Sequence, residues 1–563
     1  MPRGRRQFLK FLGAGLSGAY AGGLGPLAAA AQTSQPVPFA PIRPTTRDDL
    51  VLPDGYRYDV IARWGDRLPG TNAYFGYNAD YTAFLPLRES GHGVLVVNHE
   101  YVSLPRPGEI GIYPQTFPLV MGRAPTIEDE MRDVGVSILH VRRSSAGRWA
   151  VIASPLTRRY DALSRMTASG PALQKAGGLT GTLANCSGCR TPWDTVLTCE
   201  ENYQNCVADV VDTAGRGQAD GRFPRDGTHY GWVVEIDPLD PGWTPVKHTM
   251  LGRFRHENVA LRAEAGRQVV AYMGDDRING HVYRFVSSER YAPDGNHRGS
   301  LLAAGRLYAA VFHADGTGEW RELAPETPLR PHPDAPQPPI PPAATTLGQV
   351  YTDQGALVTD AFRASNLIGA TPTGRPEDIE VHPIDRSVYI AFTAAATAPG
   401  HLFPNVYCEI WRIVEEGDGT GTRFTWMRWK AGGPNDEARA GHVFAAPDNL
   451  AFDPAGNLWV VANVTTARLN ADIYTAFKNN GMFFVPVAGS DAGVPLQFAS
   501  APCEAELTGP SWTPGRETMF LSVQHPGEGY GIRGGAVRAP RGSNWPSGRA
   551  GDAPMPAVVA IQR

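Results

Sequence analysis

Apolar residues in this chain come in short bursts, not in long stripes. Segments such as "GVLVVNHEYV", "DTVLTCEENY", "YGWVVEIDP", "QVVAYMGDD", "HVYRFVS", "SVYIAFT", "EIWRIVE", "NLWVVANV", "TMFLSVQHP" and "AVVAIQR" sit between Gly, Asn, Asp and Pro residues. Many alternate apolar with polar positions, and their period of two and their β-branched and aromatic content predict strands of roughly five residues. Sustained 3.6-residue periodicity is scarce, with "ADIYTAFKNN" and "DALSRM" the best helix candidates. The pattern predicts an all-β chain.

A repeat emerges when similar phrases are aligned. "PEDIEVHPIDRSVYIAFT" (376–393) and "PDNLAFDPAGNLWVVANV" (447–464) each run from a Pro-acid pair through a strand and a His/Asp-Pro turn to a second strand. "GPSWTPGRETMFLSVQH" (509–525) repeats this, and "HENVALRAEAGRQVVAYMGDD" (256–276) is a looser copy. A spacing of about 60–70 residues with paired strands per copy predicts a β-propeller with loop insertions. The double interval between 256 and 376 places one further copy near Val311. Counting from the "NHE" segment predicts six blades, or seven, and "AVVAIQR" is placed to close the ring against an early strand. The expected organisation is an export signal over 1–31, an extended segment over 32–50, and one propeller over 51–563. Within the propeller, a Pro-rich insertion is expected at about 322–346.

The N-terminus changes the picture of where the chain works. "RRQFLK" opens a weakly apolar, Gly-rich run that ends in "LAAAAQ". A charged start, a short apolar core and small residues before a cut after Ala31 describe an export signal, and the twin arginine selects the Tat machinery. The glycines and the proline in that run argue against a membrane span. The chain is therefore expected in the periplasm or outside the cell. Removing the four basic residues of 1–31 from 52 basic and 56 acidic residues moves the net charge from −4 to −8. No basic surface is available to track phosphates, so nucleic acid is excluded as a partner. With no separate assembly segment in the sequence, a monomer is expected.

In a propeller the polar groups ending the inner strands converge on one axial channel, so phrases distant in sequence can share a site. Those ends carry Asn78 and Asp80 in "YNAD", Asn98, His99 and Glu100 in "NHE", and Glu200, Glu201 and Asn202 in "CEEN". They continue with His256, Glu257 and Asn258 in "HEN", Asp275 and Asp276 in "GDD", Arg375, Glu377 and Asp378 in "GRPED", and Asp448 and Asn449 in "PDN". Glu504 and Glu506 in "EAE" and Gln524, His525 and Glu528 in "QHPGE" complete the set. Any one of these alone reads as an ordinary turn or surface residue. Their recurrence at equivalent places suits hard cations such as calcium. The stretch "NCSGCRTPWDTVLTCEEN" (185–202) adds three cysteines. No second C-x-x-C or paired His completes a zinc site around Cys186 and Cys189, and a redox dithiol lacks its βα context. A disulfide among Cys189, Cys199 and Cys206 stays open. So does a single thiolate at Cys186 among carboxylates, which argues for iron beside calcium.

These phrases in this order, from about residue 50 to 530, resemble the PhoX-type alkaline phosphatases, a family of Tat-exported β-propeller phosphatases. The resemblance implies metal-dependent hydrolysis of small phosphate monoesters, and of diesters as a further possibility. It implies a centre of two ferric ions and two to three calcium ions joined through an oxo bridge. Carried onto this chain, iron falls to Cys186, Glu201 or Glu200, Glu257 and Glu377, and the phosphate-gripping arginine to Arg375. Asp276, with Asp275 beside it, matches a calcium ligand, and Asn78, Asp80, Asn98, Glu100, Asp448 and Glu506 are further calcium-shell candidates. Arg375 and Glu377 are the expected catalytic pair. The chain departs from the family at Cys189, Asp194 and Asn258. A calcium-dependent propeller lactonase, which would leave Cys186 and Arg375 idle, and a non-catalytic binding propeller whose carboxylates merely hold cations between blades are the alternatives.

Overall fold

The computed structural model describes residues 39–103, 122–173, 178–219, 221–331, 335–394, 405–434, 440–529 and 542–563, with Val37 and the short strands at 532–533 and 536–537. The expected export signal at 1–31 lies outside the described residues. No described helix is long and apolar enough to cross a membrane.

Six four-stranded antiparallel units follow one another along the chain, with inner strands Ala79–Pro86, Asn185–Arg190, His256–Arg262, Pro376–Val381, Pro447–Phe452 and Glu506–Trp512. Each inner strand packs against the next and the sixth packs against the first, which makes a closed six-bladed propeller. The sixth blade is completed by both chain ends. Ala557–Gln562 pairs on one side with Thr518–Gln524 and on the other with Arg57–Arg63, so "AVVAIQR" does close the ring onto an early strand. Closure leaves no open edge to the ring.

Two expectations need correction. The segment around Val311 starts no blade of its own: Gly305–Phe312 is the outer strand of the third blade, paired with Val282–Arg290. A fifth strand, Thr317–Glu322, then joins that blade to Arg423–Ala431 of the fourth, giving a continuous nine-stranded sheet. The double interval is filled by this extension, by the Pro-rich segment and by two short helices, Gln354–Thr359 and Ala361–Leu367. The helix candidates also fail. "DALSRM" is a turn held by Asp161, whose Oδ1 accepts from Leu163 N at 2.9 Å, followed by strand Arg165–Ser169. "ADIYTAFKNN" makes only the 3₁₀ turn Asp472–Tyr474. Neither is long enough to offset the cost of helix nucleation alone. A helix does form at Ile127–Asp133, where Thr126 and Asp129 close a capping box.

The strand alternation has an architectural meaning. Six apolar clusters fill the six blade-to-blade interfaces, so a strand is buried on both faces and its alternate residues belong to different cores. Val94 and Val96 face the second blade, while Leu95 and Val97 face the sixth. Truncating one such residue to Ala costs about 2–5 kcal/mol.

Candidate metal centre and active site

One local irregularity recurs in all six blades and builds the site. Between the first and second strands the pairing slips, so that two inner-strand residues oppose one on the neighbour. The bulged pairs are Asp80–Tyr81, Cys186–Ser187, Glu257–Asn258, Glu377–Asp378, Asp448–Asn449 and Gly509–Pro510. A bulge re-aims its side chains relative to the regular pleat. In five blades the first bulged residue, namely Asp80, Cys186, Glu257, Glu377 or Asp448, lines one axial cavity of about 310 Å³.

The second bulged residue often ties its blade to the next. Asn258 Nδ2 donates to Ile379 O at 2.8 Å, and its Oδ1 accepts from Ile379 N at 3.0 Å. Asp378 Oδ2 accepts from Leu450 N at 2.8 Å, and Asn449 Oδ1 from Gly509 N at 2.9 Å. Asn98, opposite the first bulge, donates to Cys186 O at 2.7 Å and Ser187 O at 3.1 Å. The departure at Asn258 therefore serves the frame of the ring.

Strand ends supply further groups: Glu100, Glu201, Asp276, Arg375, Glu506 and Gln524 all line the cavity. Donor atoms fall into three groups, each with its atoms within 4.8 Å of one another: Asp80, Glu100 and Cys186; Cys186, Glu201 and Glu257; Glu257, Glu377 and Asp448. Cys186 and Glu257 each belong to two groups, so the groups form a chain. The thiol of Cys186 lies 3.4 Å from Asp80 Oδ2 and 3.2 Å from both oxygens of Glu257. Arg375, at a left-handed backbone position (φ 52°), reaches Asp276 at 2.5 Å and Glu377 at 3.1 Å.

The electrostatics call for cations. Burial, reinforced by neighbouring acids, pushes the carboxyls of Asp80, Glu201 and Glu257 well above the usual range. Burial also lifts Glu377, against the pull of Arg375, and takes Asp448 up to about 8. The Cys186 thiol is pushed up by burial and then by Asp80 and Glu257. Of the described cavity-lining residues, four carboxylate oxygens (Asp80 Oδ1, Glu201 Oε1, Asp276 Oδ1 and Asp448 Oδ1) are buried without a hydrogen-bond partner. Orphaned buried acceptors beside one soft thiolate fit a cluster of hard and borderline cations.

Four sequence candidates do not reach the cavity. Glu200 is buried on the far side of its strand, where Lys247 Nζ at 2.6 Å, Gly231 N at 3.0 Å and Trp232 N at 3.1 Å take its carboxylate. Glu201 occupies the cavity instead, because the strand ends there and the backbone turns. Asp275 accepts from Arg255 N and from Arg277 Nε at 2.8 Å, leaving the cavity to Asp276. Asn98 has the backbone role described above. Asn78 is fully buried at φ 52° outside the cavity lining.

Other contributors had no role assigned from sequence. Gln524 Nε2 bridges Asp80 Oδ2 at 2.9 Å and Glu100 Oε2 at 2.8 Å, and Asn202 Nδ2 donates to Glu100 at 2.9 Å and Glu201 at 2.5 Å. For His525, burial alone lowers the imidazole pKa, but Glu528 and Glu506 raise it to about 10. All three lie in phrases already singled out. Arg222, also in the cavity wall, sits in a loop with no repeating signal. None of Cys186, Cys189 and Cys199 is in a disulfide. Cys189 packs against the core between the second and third blades, away from the cavity, and Asp194 pairs with Arg190 at 2.6 Å on the surface.

An axial cavity that joins a thiol, a chain of carboxylates and a clamped arginine suits metal-assisted hydrolysis of phosphoesters. The profile of the family described as alkaline phosphatase PhoX matches residues 37–527, and the chain belongs to this family. It is a metal-dependent alkaline phosphatase, which sets aside the lactonase and the binding propeller. The solved structure of Pseudomonas fluorescens PhoX in complex with vanadate, a transition-state analogue, is similar with a TM-score of 0.75 and 29% identity, covering 93% of this chain and 98% of that one. A gluconolactonase from Xanthomonas campestris aligns over 92% of this chain and 99% of its own, but at a TM-score of 0.29 and 11% identity. No curated protein sequence matches the chain significantly.

Proposed function

We propose that this phosphatase hydrolyses phosphate monoesters at a centre of two ferric ions and two to three calcium ions, after Tat export to the periplasm. The observation that carries the reading is Cys186, one thiol shared between two carboxylate groups in the axial cavity. Cys186, Glu201, Glu257 and Glu377 would hold iron; Asp80, Glu100, Asp276, Asp448 and Glu506 would hold calcium. Bound there, the cations supply positive charge to the phosphoryl oxygens and activate the attacking water.

The chain's own residues do the rest. Phosphoryl transfer needs charge neutralised on the equatorial oxygens and an in-line attacker and leaving group. Arg375 presents a planar fork of N–H donors to two phosphate oxygens, and Asp276 and Glu377 keep that fork from swinging. Gln524 and Asn202 fix the orientation of the carboxylates they donate to. Burial of the cavity floor keeps the effective dielectric low, so each of these contacts counts for more than it would in water.

The test is metal analysis with a visible spectrum on protein exported by its own signal, alongside p-nitrophenyl phosphate turnover with and without chelator. Iron near two per chain, visible colour, chelator-sensitive turnover and bleaching by Cys186→Ala support the reading. Calcium without iron, in a colourless and active enzyme, overturns the iron assignment.

A further inference from the structure

The bulges also build a second cavity on the same axis. In five blades the first residue of the bulged pair lines the metal centre; the second residues Tyr81, Ser187, Asp378, Asn449 and Pro510 line a separate space of about 260 Å³. This space extends along the later halves of the inner strands, away from the strand starts that carry Arg375 and Glu377. Asp378 is 3% exposed and lines the second cavity, not the metal centre. Its Oδ2 accepts from Leu450 N at 2.8 Å, whereas its Oδ1 is buried with no hydrogen-bond partner. Glu380 stands two residues further along the strand Pro376–Val381, on the same face, and lines the cavity beside it. The charge that acts most strongly on Asp378 is that of Glu380, ahead of Asp448 and Asp80. Arg190, the one basic side chain among the described lining residues, pairs with Asp194 at 2.6 Å and makes no ion pair with either acid.

We infer that this second cavity binds one structural calcium ion between Asp378 and Glu380, separate from the metal centre and independent of its chemistry. The donors on offer are all oxygen. Two carboxylates come from the fourth blade, and the hydroxyls of Thr82 and Ser511, 2.6 Å apart, come from the first and sixth. Each inner strand is also the last strand of its sheet, so its free edge offers backbone carbonyls along the axis. No sulfur or imidazole is among the described lining groups. Calcium accepts an irregular set of oxygen ligands, whereas magnesium demands a near-octahedral one. The plainer reading makes Asp378 a strap to Leu450 and fills the cavity with water. That strap uses Oδ2 alone and leaves both the orphaned Oδ1 and Glu380 without a role.

The test is equilibrium dialysis of the metal-loaded enzyme against graded calcium, with iron content and p-nitrophenyl phosphate turnover measured on the same samples. Glu380→Gln leaves the tie from Asp378 to Leu450 intact. It should bind one calcium ion per chain about tenfold more weakly than wild type, or lose it outright, with iron content and turnover unchanged. Asp378→Asn should lose the same ion, and the double variant Asp378→Asn/Glu380→Gln no further one. Since Asp378→Asn alters the tie between blades and could impair folding, Glu380→Gln decides the matter by itself. Calcium binding identical to wild type in Glu380→Gln overturns the inference and leaves the cavity to water. Loss of calcium together with turnover assigns the ion to the metal centre and overturns it as well.

Discussion

Asn258 offers the sharpest check on how the ring holds its acids in place. It is fully buried, and its amide closes both the N–H and the C=O of Ile379 in the next blade, at 3.0 and 2.8 Å. Glu257 precedes it, and Glu377 stands two residues before Ile379, so this one side chain links the backbones of two cavity acids. In Asn258→Ala both Ile379 groups lose their partner at a position that is fully buried. Each unsatisfied buried group costs about 1–3 kcal/mol, so the variant should lose about 2–6 kcal/mol. Asn258→Asp should behave differently: it keeps an acceptor for Ile379 N, but donates to Ile379 O only when protonated. The folded carboxyl should therefore have a raised pKa, and the variant should be most stable at acid pH and lose stability as pH rises through that value. The assay is urea unfolding of metal-loaded protein across pH, with kcat/KM measured in parallel. An Asn258→Ala protein within about 0.5 kcal/mol of wild type, a range expected for ordinary surface changes, would refute the claim that these bonds hold the blades in register.

Three further outcomes follow from the geometry. Lys247→Met should cost about 3–5 kcal/mol by leaving Glu200 buried without its partner, while Glu200→Gln/Lys247→Met should recover most of that loss and retain the metal content; loss of a metal ion in Glu200→Gln would restore Glu200 as a ligand. Arg375→Lys should lower kcat/KM about a hundredfold through loss of the fork, measured with p-nitrophenyl phosphate at saturating metal; a change under threefold would remove Arg375 from the phosphate site. In the metal-free protein the cavity carboxyls have folded pKa values above their unfolded ones, Asp448 up to about 8. Their contribution to stability is therefore complete at acid pH and lost as pH rises through the folded values. Calorimetry should show the melting temperature of the chelated protein falling between pH 6 and 9 while the loaded protein holds, and parallel curves would contradict this.

What could be read from the sequence alone has a local origin. The bursts of apolar residues, the Pro-acid phrases and the recurring acids are short-range signals, and they are enough to set strands, repeat and all-β class. They also located the right phrases for the cavity, from Asp80 through Cys186, Glu257 and Glu377 to Asp448 and Glu506. The sequence could not choose between adjacent acids. Glu200 and Glu201, or Asp275 and Asp276, look alike in a phrase, and a period of two does not reveal where a strand ends or bulges.

Those choices were made by contacts far along the chain. Lys247 claims Glu200 from 47 residues away, and the backbone of Arg255, 20 residues off, claims Asp275 together with the neighbouring Arg277. The six bulges are a tertiary device as well, because a bulge is a mismatch between two paired strands and neither strand carries it alone. Likewise Val311 sits in a strand that seemed to open a blade, and only its pairing with Val282–Arg290 makes it the fourth strand of one. Local periodicity determined which residues are strand and which are acid; closure of the ring decided which of those acids share a cavity, since that depends on distances no short segment contains.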